Sequence, residues 1–357
     1  MTEEVFKAQL NPSNFSDFRV GWKSPSNIAL VKYWGKKPVQ IPANASLSFT
    51  LSESCTSTEV QFSLAEASSF DLVFEGKAKP SFHPKIQDFL DRILPYCSFL
   101  SAYHLSIETS NSFPHSSGIA SSASAMAALA LSICSLEREL GGLQNEALFF
   151  QKASFLSRLG SGSACRSVQG PMMSWGEHPD LDHSSDLYGT VFEAELQEVF
   201  KSYKDTILLV HKGQKSVSST AGHDLMKGHI FADSRFEQAQ MHLTQLKSVL
   251  QNGDLEHFIR IVESEALSLH AMMMSSHPYY ILMQPNTLAI LHSVMRYRQE
   301  TKIPLCFTLD AGANVHLLYP ESNQTEVQAF IEQELSLFCE QGAYLSDAVG
   351  KGSEKIV

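Results

Sequence analysis

The sequence predicts an α+β fold of two domains with a cleft between them. The chain has 357 residues, a length that favours two domains or one large one. Strand-like and helix-like hydrophobic periodicities occur in both halves, and the pattern changes character between residues 190 and 205. We therefore expect an N-terminal domain over 1–195 and a C-terminal domain over 196–357.

The first half of the sequence mixes strands and helices. Residues 58–64 alternate polar and apolar side chains, the pattern of a half-buried strand. Apolar residues at helical spacing follow Pro84, and proline is favourable in the first turn of a helix. The remaining predicted elements are a strand over 104–108, a loop over 110–121, helices over 122–140 and 145–159, a strand over 171–175 and an exposed loop over 177–186.

The second half combines a few strands with long helical patterns. The predicted strands are 207–210, 305–309 and 315–319, and the predicted helices are 234–251, 254–274, 285–299 and 323–338. We expect the last residues, 350–357, to be frayed. Because each half has strands and helices of its own, two α+β domains are the simplest arrangement.

Composition and charge exclude several classes of protein. The net charge is −11, which gives no general attraction to nucleic acid or to an anionic membrane. The six cysteines lie far apart without zinc spacing, and the N-terminus lacks the basic and apolar segments of a signal peptide. The uncharged stretch 109–136 is interrupted by Pro114 and Gly118, so its apolar run is too short to cross a bilayer. We expect a folded cytoplasmic protein with reduced cysteines.

The segment most informative about function is 114–124, Pro-His-Ser-Ser-Gly-Ile-Ala-Ser-Ser-Ala-Ser, which runs into a predicted helix. Small residues allow a ligand to approach the backbone closely, and the N-terminus of a helix attracts phosphate. Serine hydroxyls also bind Mg²⁺ or phosphate oxygens. The alternative is a serine-rich helix cap with no ligand. No lysine follows the glycine as it does in a P-loop, so a cation for the phosphate must come from elsewhere.

Three charged residues elsewhere are candidates for chemistry. Lys36, beside Lys32 and Lys37, offers positive charge in an acidic protein, unless it is a solvated hairpin tip. Arg166 follows small residues, from which a guanidinium reaches a carboxylate; a surface ion pair is the alternative. Asp310 lies between an apolar strand and a glycine turn, which suits a carboxylate in a cleft or an Asx-turn cap. The histidines show no metal spacing and receive no role.

The segment 114–124 resembles the nucleotide-binding loop of the superfamily that groups galactokinase, homoserine kinase, mevalonate kinase and phosphomevalonate kinase. Within that superfamily, three more segments resemble signatures of the mevalonate diphosphate decarboxylase family: 27–37, 160–167 and 308–314. A fourth segment, 217–220, resembles another of its signatures more weakly. All occur in the family's order. The resemblance implies an N-terminal ribosomal-S5-like domain and a C-terminal ferredoxin-like domain, with the active site in the cleft.

The resemblance also implies an activity and residue roles. Members of the family bind Mg-ATP and (R)-mevalonate 5-diphosphate, phosphorylate the tertiary 3-hydroxyl, and release isopentenyl diphosphate, ADP, phosphate and CO₂. Asp310 matches the aspartate that orients or deprotonates the hydroxyl, Arg166 the arginine that holds the substrate carboxylate, and Lys36 the lysine near the reacting groups. The substrate-binding positions match Asn27, Lys32, Tyr33, Ser161, Ser163 and Ser219. The nucleotide-binding positions match Pro114, Ser117, Gly118, Ser121, Ser122 and Ser124, and Ser122 also matches a Mg²⁺ ligand.

Two departures from the family pattern leave the substrate open. The loop reads Pro-His-Ser-Ser-Gly, with the bulky His115, where many relatives have Pro-Thr-Ala-Ala-Gly, and residues 310–314 lack the proline common before the asparagine. A phosphomevalonate decarboxylase and a mevalonate 3-kinase are therefore alternatives, although Asp310, Lys36 and Arg166 favour decarboxylation. A non-catalytic nucleotide-binding protein on the same fold is a third possibility. We expect a homodimer, as is common in relatives, and neither a nucleic-acid nor a membrane partner.

Overall fold

The computed structural model describes residues 2–10, 14–114, 119–213 and 219–357. The strands are β1 (Phe18–Val31), β2 (Lys36–Lys37), β3 (Ile41–Pro42), β4 (Ser46–Leu64), β5 (Ser69–Phe74), β6 (Lys77–Ala78), β7 (Tyr103–Asn111), β8 (Met172–Trp175), β9 (Thr190–Val191), β10 (Lys204–Leu208), β11 (Cys306–Thr308), β12 (Val315–Tyr319), β13 (Tyr344–Ala348) and β14 (Glu354–Lys355). The helices are α1 (His83–Ile93), α2 (Ser121–Glu139), α3 (Glu146–Gly160), α4 (Glu198–Lys201), α5 (Ser219–Asp224), α6 (Ala232–Asn252), α7 (Leu255–Ser275), α8 (Pro285–Thr301) and α9 (Gln324–Gln333).

A large sheet occupies the N-terminal half. Within the described residues it has eight strands, in the order β14-β1-β4-β7-β5-β6 with β8 and β9 branching from β4. Its pairs are antiparallel except β5 and β7, which are parallel. Along β4 the side chains of Val60 and Phe62 are buried and those of Glu59, Gln61 and Ser63 are half-buried, as the alternation predicts. The same alternation also predicts an inward Leu64, but this residue at the strand end is exposed. The alanine- and serine-rich helix α2 packs closely on this sheet because its side chains are small.

The second sheet is the antiparallel set β11-β12-β10-β13. Along the chain its strands and helices follow the order β10, α6 to α8, β11, β12, α9 and β13. Numbering the four strands by sequence gives the spatial order 4-1-3-2, which is the ferredoxin-like arrangement. The α+β fold class is therefore confirmed. Among the described residues, no helix is both long and apolar enough to cross a membrane.

The C-terminal residues 350–357 are ordered, so the prediction of a frayed end is wrong. β14 pairs with β1, and the Ile356 N–H donates to the Gly21 carbonyl at 2.8 Å. The Gly350 N–H donates to the Thr50 carbonyl at 2.7 Å. The unpaired edge of β1 gives this tail backbone partners, which a sequence pattern of eight residues does not reveal.

Two other local predictions also need correction. The predicted helix 323–338 is divided into α9 and a short 3₁₀ helix, Leu335–Phe338, with non-helical backbone at Glu334. In the predicted exposed loop 177–186, His178 is buried and its Nε2 donates to the Gln240 carbonyl at 3.0 Å. Both differences arise from packing against neighbouring elements rather than from local propensity.

Candidate active site

A polar pocket of about 310 Å³ collects residues that are far apart in the sequence. Its walls come from the end of β1, the start of α2, the end of α3 with the 3₁₀ helix Gly162–Ser167, α5, α7 and the turn after β11. Predicted site residues in the walls are Asn27, Lys32, Tyr33, Lys36, Ser122, Ser161, Ser163, Arg166 and Asp310. The structure thus brings four of the sequence segments singled out above to one place.

Lys32 and Asp310 form an ion pair in the pocket wall. Lys32 follows β1 and Asp310 follows β11, and their Nζ and Oδ1 atoms are 3.0 Å apart. The Lys32 side chain is 2% exposed, whereas that of Asp310 is 29% exposed. Burial lowers the pKa of Lys32, although the neighbouring Asp310 acts in the opposite direction. The cation is therefore hidden behind the carboxylate, and the carboxylate is the partner that a ligand can reach.

The backbone of Lys32 is held by buried side chains. Its N–H donates to Glu265 Oε2 at 2.8 Å, and its carbonyl accepts from Asn44 Nδ2 at 2.9 Å. Arg235 Nη1 donates to Glu265 Oε1 at 3.0 Å, and His242 Nδ1 donates to the same oxygen at 2.6 Å. Burial raises the pKa of Glu265, but the hydrogen bonds from His242 and Arg235 outweigh it, and the net pKa is lowered. Glu265 is therefore a fixed buried anion that anchors Lys32.

Helix α7 also holds the other half of the ion pair. His270 Nε2 donates to the backbone carbonyl of Asp310 at 3.1 Å. The same helix supplies Glu265, which binds the Lys32 N–H. The helix begins at an Asp254 cap that accepts from the His257 N–H at 3.1 Å. One helix thus sets the positions of both Lys32 and Asp310.

Arg166 is a buried cation at the pocket wall, 2% exposed. Its Nε donates to Ser48 Oγ at 3.0 Å and its Nη1 to Ser46 Oγ at 2.5 Å. In the described part of the chain no carboxylate forms an ion pair with it, although Asp310 acts on it through space. Burial lowers the pKa of Arg166. A guanidinium desolvated in this way is stabilised by an anionic ligand.

Tyr33 carries a buried hydroxyl that lacks a hydrogen-bond partner among the described residues. Burial raises the pKa of Tyr33, so the hydroxyl is a donor. A Cβ at Gly162 would lie 3.0 Å from this hydroxyl and 3.0 Å from the Trp175 ring, so only glycine fits there without a shift. Unsatisfied buried hydroxyls are uncommon, and this one lies in a residue that lines the pocket.

A second, mostly apolar pocket of about 110 Å³ shares Ser122 and Lys85 with the first. Its apolar lining residues include Leu72, Phe74, Phe82, Ile86, Ile107 and Leu129. The start of α2 lies between the two pockets, and its N-cap residue Ala120 has a φ of 38° and provides no side-chain cap. The N–H groups of the first turn therefore have no capping side chain, and Ser121 and Ser122 lie beside them.

The other predicted residues are distributed as follows. Asn27 Nδ2 donates to Ser167 Oγ at 2.8 Å, which fixes its amide in the wall. Ser124 is fully buried, and its hydroxyl lies 2.6 Å from Thr56 Oγ1, in the contact between α2 and β4. Pro114 is exposed. Lys36 is half-buried in β2, and burial lowers its pKa.

Four predictions fall wholly or partly outside the described residues. His115, Ser117 and Gly118 belong to the segment 115–118, which lies outside the described residues. Ser219 opens α5, but its side chain is not among those described.

Sequence reasoning missed several residues of this region. His223 and Lys85 line the main pocket, and Glu265 and His270 anchor its ion pair. The histidines carried no spacing signal, and Lys85 follows Pro84 at the start of a predicted amphipathic helix, with no motif that marks a site residue. A charged residue on an amphipathic helix is usually solvated, so nothing in the sequence marked Glu265 as buried. Three-dimensional packing was needed to find all four.

Two family models match the chain in succession. The Diphosphomevalonate decarboxylase-like N-terminal domain matches residues 24–186. The Mevalonate 5-diphosphate decarboxylase C-terminal domain matches residues 206–352. Together they contain every wall of the main pocket described above.

Individual known proteins that are similar to this chain belong to the same family as the two domain models. Diphosphomevalonate decarboxylase from Candida albicans is 30% identical over 324 residues, which is 86% of either chain. The solved mevalonate diphosphate decarboxylase from Staphylococcus aureus is 26% identical with a TM-score of 0.83, over 96% of this chain and 98% of that one. A structure of MDDEF in complex with MVAPP, AMPPCP and magnesium is 26% identical with a TM-score of 0.82, over 96% and 99%. With both domain models in order and a full-length relative, the chain belongs to the diphosphomevalonate decarboxylase family.

Proposed function

We propose that this protein catalyses the ATP-dependent decarboxylation of (R)-mevalonate 5-diphosphate to isopentenyl diphosphate, ADP, phosphate and CO₂. The Candida albicans and Staphylococcus aureus relatives carry the name of this activity, and the MDDEF structure holds MVAPP with the ATP analogue AMPPCP and magnesium. The observation in this chain that carries the proposal is the buried guanidinium of Arg166 without a carboxylate partner among the described residues.

Arg166 binds the carboxylate of the substrate in this proposal. Ser46 and Ser48 accept from two of its N–H groups and fix the plane of the guanidinium. The remaining N–H groups match the geometry of a carboxylate, with which arginine forms paired hydrogen bonds. The carboxylate of the substrate then supplies the missing negative charge. The same contact aligns the C1–C2 bond that later breaks.

Asp310 orients the tertiary 3-hydroxyl and accepts its proton. The ion pair with Lys32 fixes the position of the carboxylate, which is the more accessible partner of the two. As the hydroxyl oxygen bonds to the γ-phosphorus of ATP, the bond from that phosphorus to the bridging oxygen of ADP breaks, ADP leaves, and the hydroxyl proton passes to Asp310. Lys36 adds positive charge near the phosphates, because it lines the same pocket. Asn27, Tyr33, Ser161, Ser163 and Ser219 complete the substrate site in this proposal. Lys32, which the resemblance also assigns to the substrate, is instead proposed to support Asp310, because its side chain is 2% exposed.

The start of α2 is suited to the phosphates of ATP. Its first-turn N–H groups lack a capping side chain, and Ser121 and Ser122 stand beside them. Helix N-termini with free N–H groups bind phosphate. The apolar pocket on the α2 side is suited to a flat base, and Lys85 lies between the two pockets. Pro114, Ser117 and Gly118 remain nucleotide-binding predictions. The fully buried Ser124, whose hydroxyl lies 2.6 Å from Thr56 Oγ1, packs against β4 and is not assigned to the nucleotide.

Magnesium fits the chemistry of the donors near α2. The described residues hold no cluster of three His, Cys, Asp or Glu side chains that would bind a metal alone. Mg²⁺ commonly keeps most of its ligands from phosphates and water, and the Ser122 hydroxyl lies beside the helix start, 3.3 Å from Ser161 Oγ. When bound, Mg²⁺ neutralises phosphate charge. The protein then contributes the Ser122 hydroxyl and the orientation of the loop.

The second half of the reaction breaks two bonds and forms one double bond. The C3–O bond breaks and its oxygen leaves with the phosphate, while the C1–C2 electron pair becomes the C2=C3 double bond and C1 departs as CO₂. Positive character develops at C3 as the phosphate leaves. Asp310 first passes the proton that it accepted to the departing phosphate. Its carboxylate then stabilises the charge at C3, and Arg166 holds the departing carboxylate in line.

The domain division at residue 195, the homodimer and the cytoplasmic location are further proposals. The two sheets support the division, because β9 ends at Val191 and β10 begins at Lys204. The first family model ends at residue 186 and the second begins at residue 206, on either side of the proposed division. Light scattering on the purified protein would test the dimer.

A parallel assay tests the proposed function. The protein is incubated with Mg-ATP and mevalonate, its 5-phosphate or its 5-diphosphate, and ADP and CO₂ are measured together. We expect one CO₂ for each ADP with the diphosphate alone. Coupled CO₂ from the monophosphate would identify a phosphomevalonate decarboxylase instead. ADP without CO₂ would identify a 3-kinase, and no product in any arm would leave the non-catalytic alternative.

A further inference from the structure

His223 lies in the wall of the main pocket but has no part in the chemistry proposed above. It is 8% exposed and shares the pocket lining with Tyr33 and Lys36. Its imidazole packs against the rings of Tyr33 and Trp34, with centroids 4.2 Å and 4.7 Å away. These two rings hold the imidazole in one orientation.

The hydrogen bond to Gly35 determines which ring nitrogen of His223 carries the hydrogen. The Gly35 N–H donates to Nδ1 at 3.0 Å, so the neutral ring has its hydrogen on Nε2. Burial and the nearby Lys36 ammonium lower the pKa of His223 to about 3. Nε2 has no hydrogen-bond partner in the described part of the protein. A buried, oriented N–H donor therefore remains in the pocket wall.

We infer that His223 is a substrate-binding residue that donates from Nε2–H to a phosphate oxygen of the phosphorylated substrate. The inference deepens the proposed function and rests on it. Arg166 and Asp310 account for the carboxylate and the hydroxyl of that substrate, so its phosphate group remains to be bound. Lys36 lies next to Gly35 in the chain and brings a cation to the same part of the pocket. A neutral donor beside it adds a hydrogen bond without burying another charge.

If His223 only held the Gly35 backbone, substitutions that keep that contact would leave ligand binding unchanged. The contact with Gly35 uses Nδ1 alone, and an asparagine at position 223 offers an acceptor at the same place. A glutamine at that position instead places an amide N–H near the position of Nε2. The two substitutions therefore separate the structural contact from the donor to the ligand.

The experiment compares wild type, His223→Asn and His223→Gln by calorimetric titration with (R)-mevalonate 5-diphosphate in the absence of ATP. We expect His223→Asn to weaken binding about tenfold or more, as for the loss of a hydrogen bond to a charged group. His223→Gln should stay within about threefold of wild type. Melting temperatures and the KM for ATP, measured on all three proteins, serve as controls and should not follow the loss of affinity.

The possible outcomes separate this inference from the proposed function. Wild-type affinity in folded His223→Asn would overturn the inference, and so would equal weakening in both variants. Weakening that follows the melting temperature would show a structural role and would also overturn it. If wild type itself does not bind the diphosphate, the proposed function fails first, and the inference fails with it.

Discussion

Of the two buried cations in the pocket wall, one is paired with a carboxylate and the other is not. Lys32 has the Asp310 carboxylate 3.0 Å away. Arg166 has only the hydroxyls of Ser46 and Ser48 as hydrogen-bond partners among the described residues. Burying an unpaired charge costs roughly several kcal/mol. An anionic ligand bound to Arg166 would offset that cost. This difference is why we assign Arg166 to the substrate and Lys32 to the support of Asp310.

Replacing Asp310 tests the assigned catalytic carboxylate. We expect Asp310→Asn to lower kcat by about 10²-fold or more, because the amide cannot accept the hydroxyl proton or stabilise charge at C3. The Kd for ATP should change little, since the proposed nucleotide site is at α2. Rapid-quench kinetics and a nucleotide titration check both points. Wild-type turnover in this variant would refute the role of Asp310.

The buried neutral state of His223 predicts a pH dependence of stability. Burial and Lys36 lower the pKa of His223 from 6.5 to about 3. Between these values the unfolded chain binds one more proton than the folded chain, so stability falls as the pH falls. From pH 7 to pH 5 wild type should lose about 2 kcal/mol more than His223→Gln. Urea unfolding at both pH values measures this difference, and parallel losses in the two proteins would contradict it.

At the scale of secondary-structure elements, α7 connects the two halves of the ion pair. Glu265 binds the Lys32 N–H and His270 binds the Asp310 carbonyl. The two residues are five positions apart on one helix, so a displacement of α7 moves both partners together. We therefore regard Glu265 and His270 as positioning residues.

Substitution of His270 tests this role of α7. His270→Leu removes the donor to the Asp310 carbonyl, and we expect kcat to fall about tenfold while the KM for ATP is unchanged. His270→Gln keeps an amide donor near the position of Nε2 and should recover most of that loss. Steady-state kinetics and melting temperatures of both variants provide the check. Equal kcat in the two variants would show that the hydrogen bond does not position Asp310.

Elements with strong periodicity could be predicted from the sequence. α2 and α3 were expected over 122–140 and 145–159 and occur at Ser121–Glu139 and Glu146–Gly160. The sequence does not indicate β14, because this strand pairs with the edge of β1, which is far away in the sequence. Tertiary pairing of this kind leaves no local pattern to read.

At the scale of the whole molecule, the site could be predicted only through separated motifs. Lys32, Arg166 and Asp310 belong to three segments whose proximity no periodicity indicates, and the resemblance to a family supplied the connection. His223 and Glu265 belong to no such segment. Their importance follows from burial and hydrogen bonding, which depend on how the N-terminal and ferredoxin-like sheets are placed around α7.

The central claim is that one cleft phosphorylates the tertiary hydroxyl and then expels that oxygen as phosphate. The most direct measurement uses (R)-mevalonate 5-diphosphate labelled with ¹⁸O in the 3-hydroxyl, with mass spectrometry of the released phosphate and of the water. We predict that each phosphate released carries one ¹⁸O and that isopentenyl diphosphate forms in equal amount. Unlabelled phosphate with ¹⁸O in the water would contradict the account, because the hydroxyl would then have left without being phosphorylated.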